Sequence, residues 1–111
     1  MSEAYEKEIV QHMIRNLLGI QLLRIVEAKP TWGYHIKKQV EADFNVRLRH
    51  GALYTALNDL EARGFIKSRR QQKAGRARKV YKITEDGRNY LQAYYNVLFA
   101  QVKGVIRQRT A

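Results

Sequence analysis

From the N-terminus, apolar residues recur at spacings of three and four: Ile9, Val10, Met13, Ile14, Leu17, Leu18, Leu22, Ile25 and Val26. That period predicts an amphipathic helix over residues 5–28. Gly19 lies inside it, lowers helix stability by about 1 kcal/mol relative to alanine, and suggests a close helix crossing or a bend. Lys29-Pro30 ends the helix, because proline disfavours helical geometry at the residue before it. Thr31 then reads as the N-cap of a second helix ending near Asp43. Trp32, Ile36, Val40 and Phe44 form its inner face, and Lys37, Lys38 and Glu41 its outer face. Val46-Arg47-Leu48 looks like a short extended link. Residues 51–63 predict a third helix with Leu53, Ala56, Leu57 and Leu60 inward, and Gly64 stands where a left-handed cap is expected.

The period then drops to two. Residues 65–71 and 78–84 read as strands around a loop at 72–77, with Tyr81 and Ile83 on one face and Lys82 on the other. This is a basic β-hairpin. Thr84 caps a final helix whose first turn carries Glu85 and Asp86, where the helix dipole favours acids. Leu91, Tyr95, Leu98, Val102 and Val105 follow at spacings of 4-3-4-3, an apolar seam widened by Tyr94, Phe99 and Ile106. The expected fold is mainly α with a small β-hairpin. It is a winged helix-turn-helix over residues 1–84, followed by a long C-terminal dimerisation helix at 85–111.

Composition narrows the function. The 111 residues hold 21 Lys and Arg against ten Asp and Glu, a net charge of +11. Such an excess suits a polyanionic partner, nucleic acid before an acidic membrane surface. The charge is uneven. Residues 1–28 carry four acids and three bases, whereas residues 63–82 carry nine bases and no acid. Cysteine is absent, which excludes disulfides, a thiol nucleophile and Cys-ligated metals. No apolar run is long enough to span a membrane and the N-terminus lacks a signal-peptide core, so a soluble, cytoplasmic protein without membrane contact is expected. His12, His35 and His50 share neither a helix face nor a ligand spacing, and the carboxylates form no catalytic pair. No metal, cofactor or enzymatic activity is expected.

In a winged helix the third helix can enter the major groove, while the hairpin reaches the flanking backbone or the narrow groove. The third helix opens with Arg49 and His50 and exposes Tyr54, Thr55 and Asn58, side chains able to bond base edges or phosphates. Arg70, Lys73, Arg76, Arg78 and Lys79 bring cations to the wing, and Tyr34 and Lys37 stand near the start of the second helix. These twelve residues are the candidate DNA contacts.

Four segments, in order and spacing, carry a family resemblance. They are Trp32-Gly33-Tyr34-His35-Ile36; Gly51-Ala52-Leu53-Tyr54 with Leu57 and Leu60-Glu61; Gly64-Phe65-Ile66; and Gly75-Arg76 with Arg78-Lys79-Val80-Tyr81-Lys82-Ile83-Thr84-Glu85-Asp86-Gly87. Over roughly residues 17–90 the chain resembles the PadR family of transcriptional regulators, in its short form with a single helix after the wing. Ala52 and Arg49-His50 stand where the family usually has Thr and Ser-Pro. The resemblance implies a homodimer held by the last helix together with the first, with Ile9, Met13, Leu91, Tyr95, Leu98, Val102 and Val105 as candidate contacts.

The resulting expectation is a sequence-specific regulator of double-stranded DNA, a repressor acting as a homodimer. An architectural DNA-coating protein of the same fold is the alternative. A basic RNA-binding protein and a pure interaction module fit less well, given the apolar seam and the wing cations. The aromatic stripe Tyr90, Tyr94, Tyr95 and Phe99 reads first as dimer packing and second as the lining of a small-molecule effector pocket at the dimer interface.

Overall fold

The computed structural model describes residues 2–73 and 75–104. The seam residue Val105, with Ile106, Arg107 and Arg109, lies outside the described residues, as does the side chain of Lys73. The elements in chain order are α1 (Ser2–Ala28), β1 (Thr31–Trp32), α2 (Gly33–Phe44), α3 (His50–Ala62), β2 (Ile66–Lys73), β3 (Arg76–Ile83) and α4 (Glu85–Lys103). Three helices, a basic hairpin and a closing helix make the winged helix-turn-helix that the periodicity predicts.

The apolar stripe of α1 serves two environments. Ile20, Leu22, Leu23 and Val26 are buried, whereas Ile9 remains 58% exposed and Met13 half-buried. The helix breaks geometry at Leu17 (φ −126°, ψ 30°), close to where the stripe turns inward. Two residues on, a Cβ at Gly19 would lie 3.3 Å from Leu60 Cδ2, so this glycine permits the close crossing of α1 over α3. Ile36 and Val40 of α2, Leu53, Leu57 and Leu60 of α3, Ile66, Tyr81 and Ile83 of the sheet, and Leu91 of α4 complete one core. Each such side chain contributes about 1.5–3 kcal/mol on burial.

Two sequence expectations are corrected. Thr31 does not cap α2: it is buried and pairs with Tyr81, while Trp32 pairs with Val80 and holds the N-cap position without a side-chain cap bond. The sheet therefore has three strands in the order β1-β3-β2, all antiparallel. Pairing to β3 satisfies backbone groups that a hairpin alone would leave as an open edge, and this outweighs the local capping preference of threonine. The hairpin loop is also shorter than residues 72–77. The ladder runs from Ile66 opposite Ile83 out to Lys73 opposite Arg76, with Gln72 paired to Ala77. Gly75 takes a positive φ of 76° in the remaining turn, a conformation that glycine adopts without strain.

The joint between wing and α4 follows the expected capping. Thr84 Oγ1 accepts the Gly87 N–H at 3.0 Å and donates to the Gly64 carbonyl at 2.6 Å, tying the start of α4 to the chain just after α3. Gly64 itself has φ 80°. The Thr84 N–H donates to the Phe65 carbonyl, and a Cβ at Gly87 would collide with that same carbonyl oxygen. No helix among the described residues is long and apolar enough to cross a membrane.

Candidate nucleic-acid interface

The third helix projects its polar residues as the pattern requires. Leu53, Leu57 and Leu60 face the core, which leaves Thr55 and Asn58 exposed on the opposite side. Arg49 precedes the helix in extended geometry, and both Arg49 and His50 are exposed. The His50 ring lies 4.6 Å from the half-buried Tyr54 ring, so these two side chains form one unit at the helix start. Tyr54 reaches α2. A Cβ at Gly33 would sit 2.5 Å from the Tyr54 hydroxyl, so glycine there leaves room for the tyrosine ring against the start of α2.

Where α3 begins is controlled from α2. Asn45 ends α2 with a left-handed φ of 52°, and Glu41 then reaches over the link to accept the Leu48 N–H at 2.8 Å. That hydrogen bond holds the Glu41 carboxyl below the ordinary carboxylate range, with further help from the charges of Lys37, Lys38 and Arg47.

The wing carries its cations beside this surface. The Arg78 guanidinium stands 4.5 Å from the Trp32 ring centroid, and Arg76 is exposed near the tip. Lys79 approaches the Tyr81 ring at 5.9 Å and the Glu61 carboxylate at 3.9 Å. Burial beneath this root raises the Tyr81 hydroxyl above the ordinary tyrosine range. Tyr34 is 61% exposed, with the Lys38 ammonium 5.4 Å from its ring.

An open cleft of about 500 Å³ gathers Trp32, Gly33, Tyr34, Tyr54, Arg76, Ala77, Arg78 and Lys79. Five of the twelve residues singled out from sequence, Tyr34, Tyr54, Arg76, Arg78 and Lys79, thus line one depression between α2, α3 and the wing. His50 joins it through Tyr54, while Thr55 and Asn58 lie along the exposed side of α3. Lys37 lines a separate groove with Lys38, Glu41 and Arg47, and Arg70 is exposed on β2.

Two residues missed by sequence reasoning shape the site. Trp32 provides the surface on which Arg78 rests, although its spacing with Ile36 and Val40 placed it on the inner face of the second helix. Glu61 accepts both the Ser68 N–H at 3.1 Å and the Ser68 hydroxyl at 2.6 Å. Only the Leu60-Glu61 pair in the family pattern hinted at it. Among the candidate dimer contacts, Leu91 is fully buried in the chain's own core and has no surface left for a partner. Tyr95 is half-buried, whereas Leu98 and Val102 are 43% and 81% exposed.

The comparisons agree with this geometry. The profile of the transcriptional regulator PadR-like family matches residues 22–93. A PadR family transcription regulator from Clostridium difficile R20291 is 32% identical, with a TM-score of 0.70, covering 78% of this chain and 91% of that one. A PadR family regulator from Eggerthella lenta DSM 2243 shares the fold at 23% identity and a TM-score of 0.74, covering 94% and 91%. Bacillus subtilis PadR, solved in complex with operator DNA, shares it at 20% identity and a TM-score of 0.66, covering 86% of this chain and 50% of that chain. No curated protein matches the chain significantly. With a profile that spans more than half of its length and a 32%-identical member of the same fold, this chain belongs to the PadR-like family of transcriptional regulators.

Proposed function

We propose that the protein is a homodimeric repressor that binds double-stranded DNA sequence-specifically. The observation that carries this reading is the common cleft, in which the wing cations Arg76, Arg78 and Lys79 stand beside Tyr34 and Tyr54 at the edge of a polar α3 face. Cations and hydroxyls of this kind bond phosphates and fix register. Asn58 and Thr55, free of the core, have the chemistry to read base edges in the major groove. The operator complex of the Bacillus relative supports the same use of the fold.

Residues 1–84 act as the DNA-binding unit, and the segment from residue 85 onward supplies the dimer contacts through α4, Glu85–Lys103. Val97, Leu98, Phe99 and Val102 of α4 and Ile9 of α1 are exposed apolar side chains on one protomer, which favours burial against a second copy. In a two-fold dimer the two α3 helices would address half-sites roughly 34 Å apart. Repression follows from occupancy of a promoter. An effector has room in a separate cavity of about 390 Å³ between α1, α2 and α4, to which Arg24, His35, Phe44 and Tyr95 contribute.

The deciding experiment is selection of bound duplexes from a random pool, followed by competition with random-sequence DNA. Recovery of a two-fold motif, with Asn58→Ala relaxing one position in each half, is the expected result. Equal displacement by every duplex would defeat sequence-specific regulation in favour of architectural coating.

A further inference from the structure

Glu61 lies at the C-terminal end of α3 and is hydrogen-bonded across to the wing. One of its carboxylate oxygens accepts twice from Ser68, through the backbone N–H and the hydroxyl, and the other faces the Lys79 ammonium. It thus touches both strands of the hairpin from the helix that carries Thr55 and Asn58. We propose that Glu61 is a positioning residue for DNA recognition, setting the tilt of the wing against α3. This rests on the reading of α3 and the wing as DNA contacts.

The lever arm makes such control necessary. Ser68 lies near the root of the wing, and Lys73 at the tip is five positions further on, a span of about 17 Å in an antiparallel strand. A tilt of about 10° at the root would move the tip by about 3 Å over that span. Hydrogen bonds tolerate far less. The two-residue β1 ladder ties β3 to the start of α2 and not to α3, and the apolar root packing of Ile66, Tyr81 and Ile83 is non-directional and cannot by itself define an angle so closely. Two directed bonds to a charged acceptor can, because such bonds are short and orientation-dependent. The Lys79 contact is partly exposed and contributes little by itself. A carboxylate here also opposes phosphate binding through its charge, so its place within the most basic surface of the molecule is explained by geometry rather than attraction.

The chain has no cysteine, so a pair of thiols introduced at Gln72 and Asp59 can be spin-labelled cleanly. Labelled protein is diluted into unlabelled protein, and pulsed double-resonance distances are measured without DNA. Glu61→Ala should broaden the distance distribution. Glu61→Gln, whose amide oxygen can still accept from Ser68, should keep it narrow. On duplex DNA, Glu61→Ala should weaken binding by about tenfold, the scale of a hydrogen bond to a charged group. The same substitution in an Arg76→Ala/Arg78→Ala background should change affinity less than about twofold, because mutations coupled through the wing do not add. Ser68→Ala, which keeps the backbone bond, should show an intermediate effect, with thermal melting confirming that each variant is folded. Unchanged distances in Glu61→Ala, an equal loss in both backgrounds, or tighter binding from both Glu61 variants would overturn the proposal. If the wild-type protein bound no duplex at all, the DNA-contact reading would fail, and with it the recognition role of Glu61.

Discussion

The wing cations offer the most quantitative prediction. Arg76 is exposed and Arg78 is held over Trp32, so neither is engaged by a carboxylate within ion-pair distance among the described residues. Each phosphate neutralised on a duplex contributes about 0.9 to the log–log dependence of affinity on salt. About four phosphates per subunit would give a slope near −7 for the proposed dimer. Arg76→Ala/Arg78→Ala removes two contacts from each subunit and should bring the slope to about −3.6. A fourfold rise in salt should then cost the wild type about 10⁴-fold in affinity and the variant about 10²-fold. The loss at fixed salt should be similar for every duplex, since phosphate contacts position without reading sequence. Lys79→Ala should alter the slope less, because its ammonium is already near Glu61. Fluorescence anisotropy of a labelled duplex at several salt concentrations measures all three proteins. A double variant with the wild-type slope, or with losses confined to one sequence, would refute the assignment of the wing to the phosphate backbone.

Other substitutions probe the remaining parts. If the exposed α4 face is the proposed dimer contact, Leu98→Asp/Val102→Asp should shift the protein from dimer to monomer in sedimentation, since burying each apolar side chain contributes about 1.5–3 kcal/mol per protomer. Gly87→Ala forces a methyl group against the Phe65 carbonyl and should cost about 1–3 kcal/mol, lowering Tm by roughly 5–20 °C in circular dichroism at fixed protein concentration. The folded-state carboxyl of Glu41 lies below its unfolded value, so its contribution to stability is present above the unfolded pKa and lost as pH falls through the folded one. Glu41→Gln should therefore flatten the acid limb of urea midpoints measured from about neutral to about pH 3, and an identical limb would show that the Leu48 contact is immaterial.

Much of this architecture was legible because long elements repeat their signals. The leucines of α3, the two-residue period of β3 and the Thr84 cap each lie within one stretch of chain, where a pattern can accumulate. β1 has two residues, too few to show any period, and its partner Tyr81 is distant in sequence. Thr31 therefore looked like a cap. The exposed half of the α1 stripe was indistinguishable from the buried half, because periodicity reports that a face is apolar and not what covers it. Leu91 shows the same limit on α4, where a regular seam divides between the chain's own core and its surface. The site was partly readable through charge. Glu61 was not, since its link to Ser68 exists only after the chain reverses at Gly64.

The pairing of β1 with β3 also bears on biosynthesis. Thr31 and Tyr81 stand about 50 positions apart, so at about 5–20 residues per second the ribosome adds the second strand roughly 3–10 s after the first. During that interval the start of α2 lacks the ladder that orients it, and Trp32 lacks the arginine that covers it. A nascent or prematurely terminated chain therefore cannot assemble the cleft, and occupancy of DNA is reserved for molecules translated past the wing.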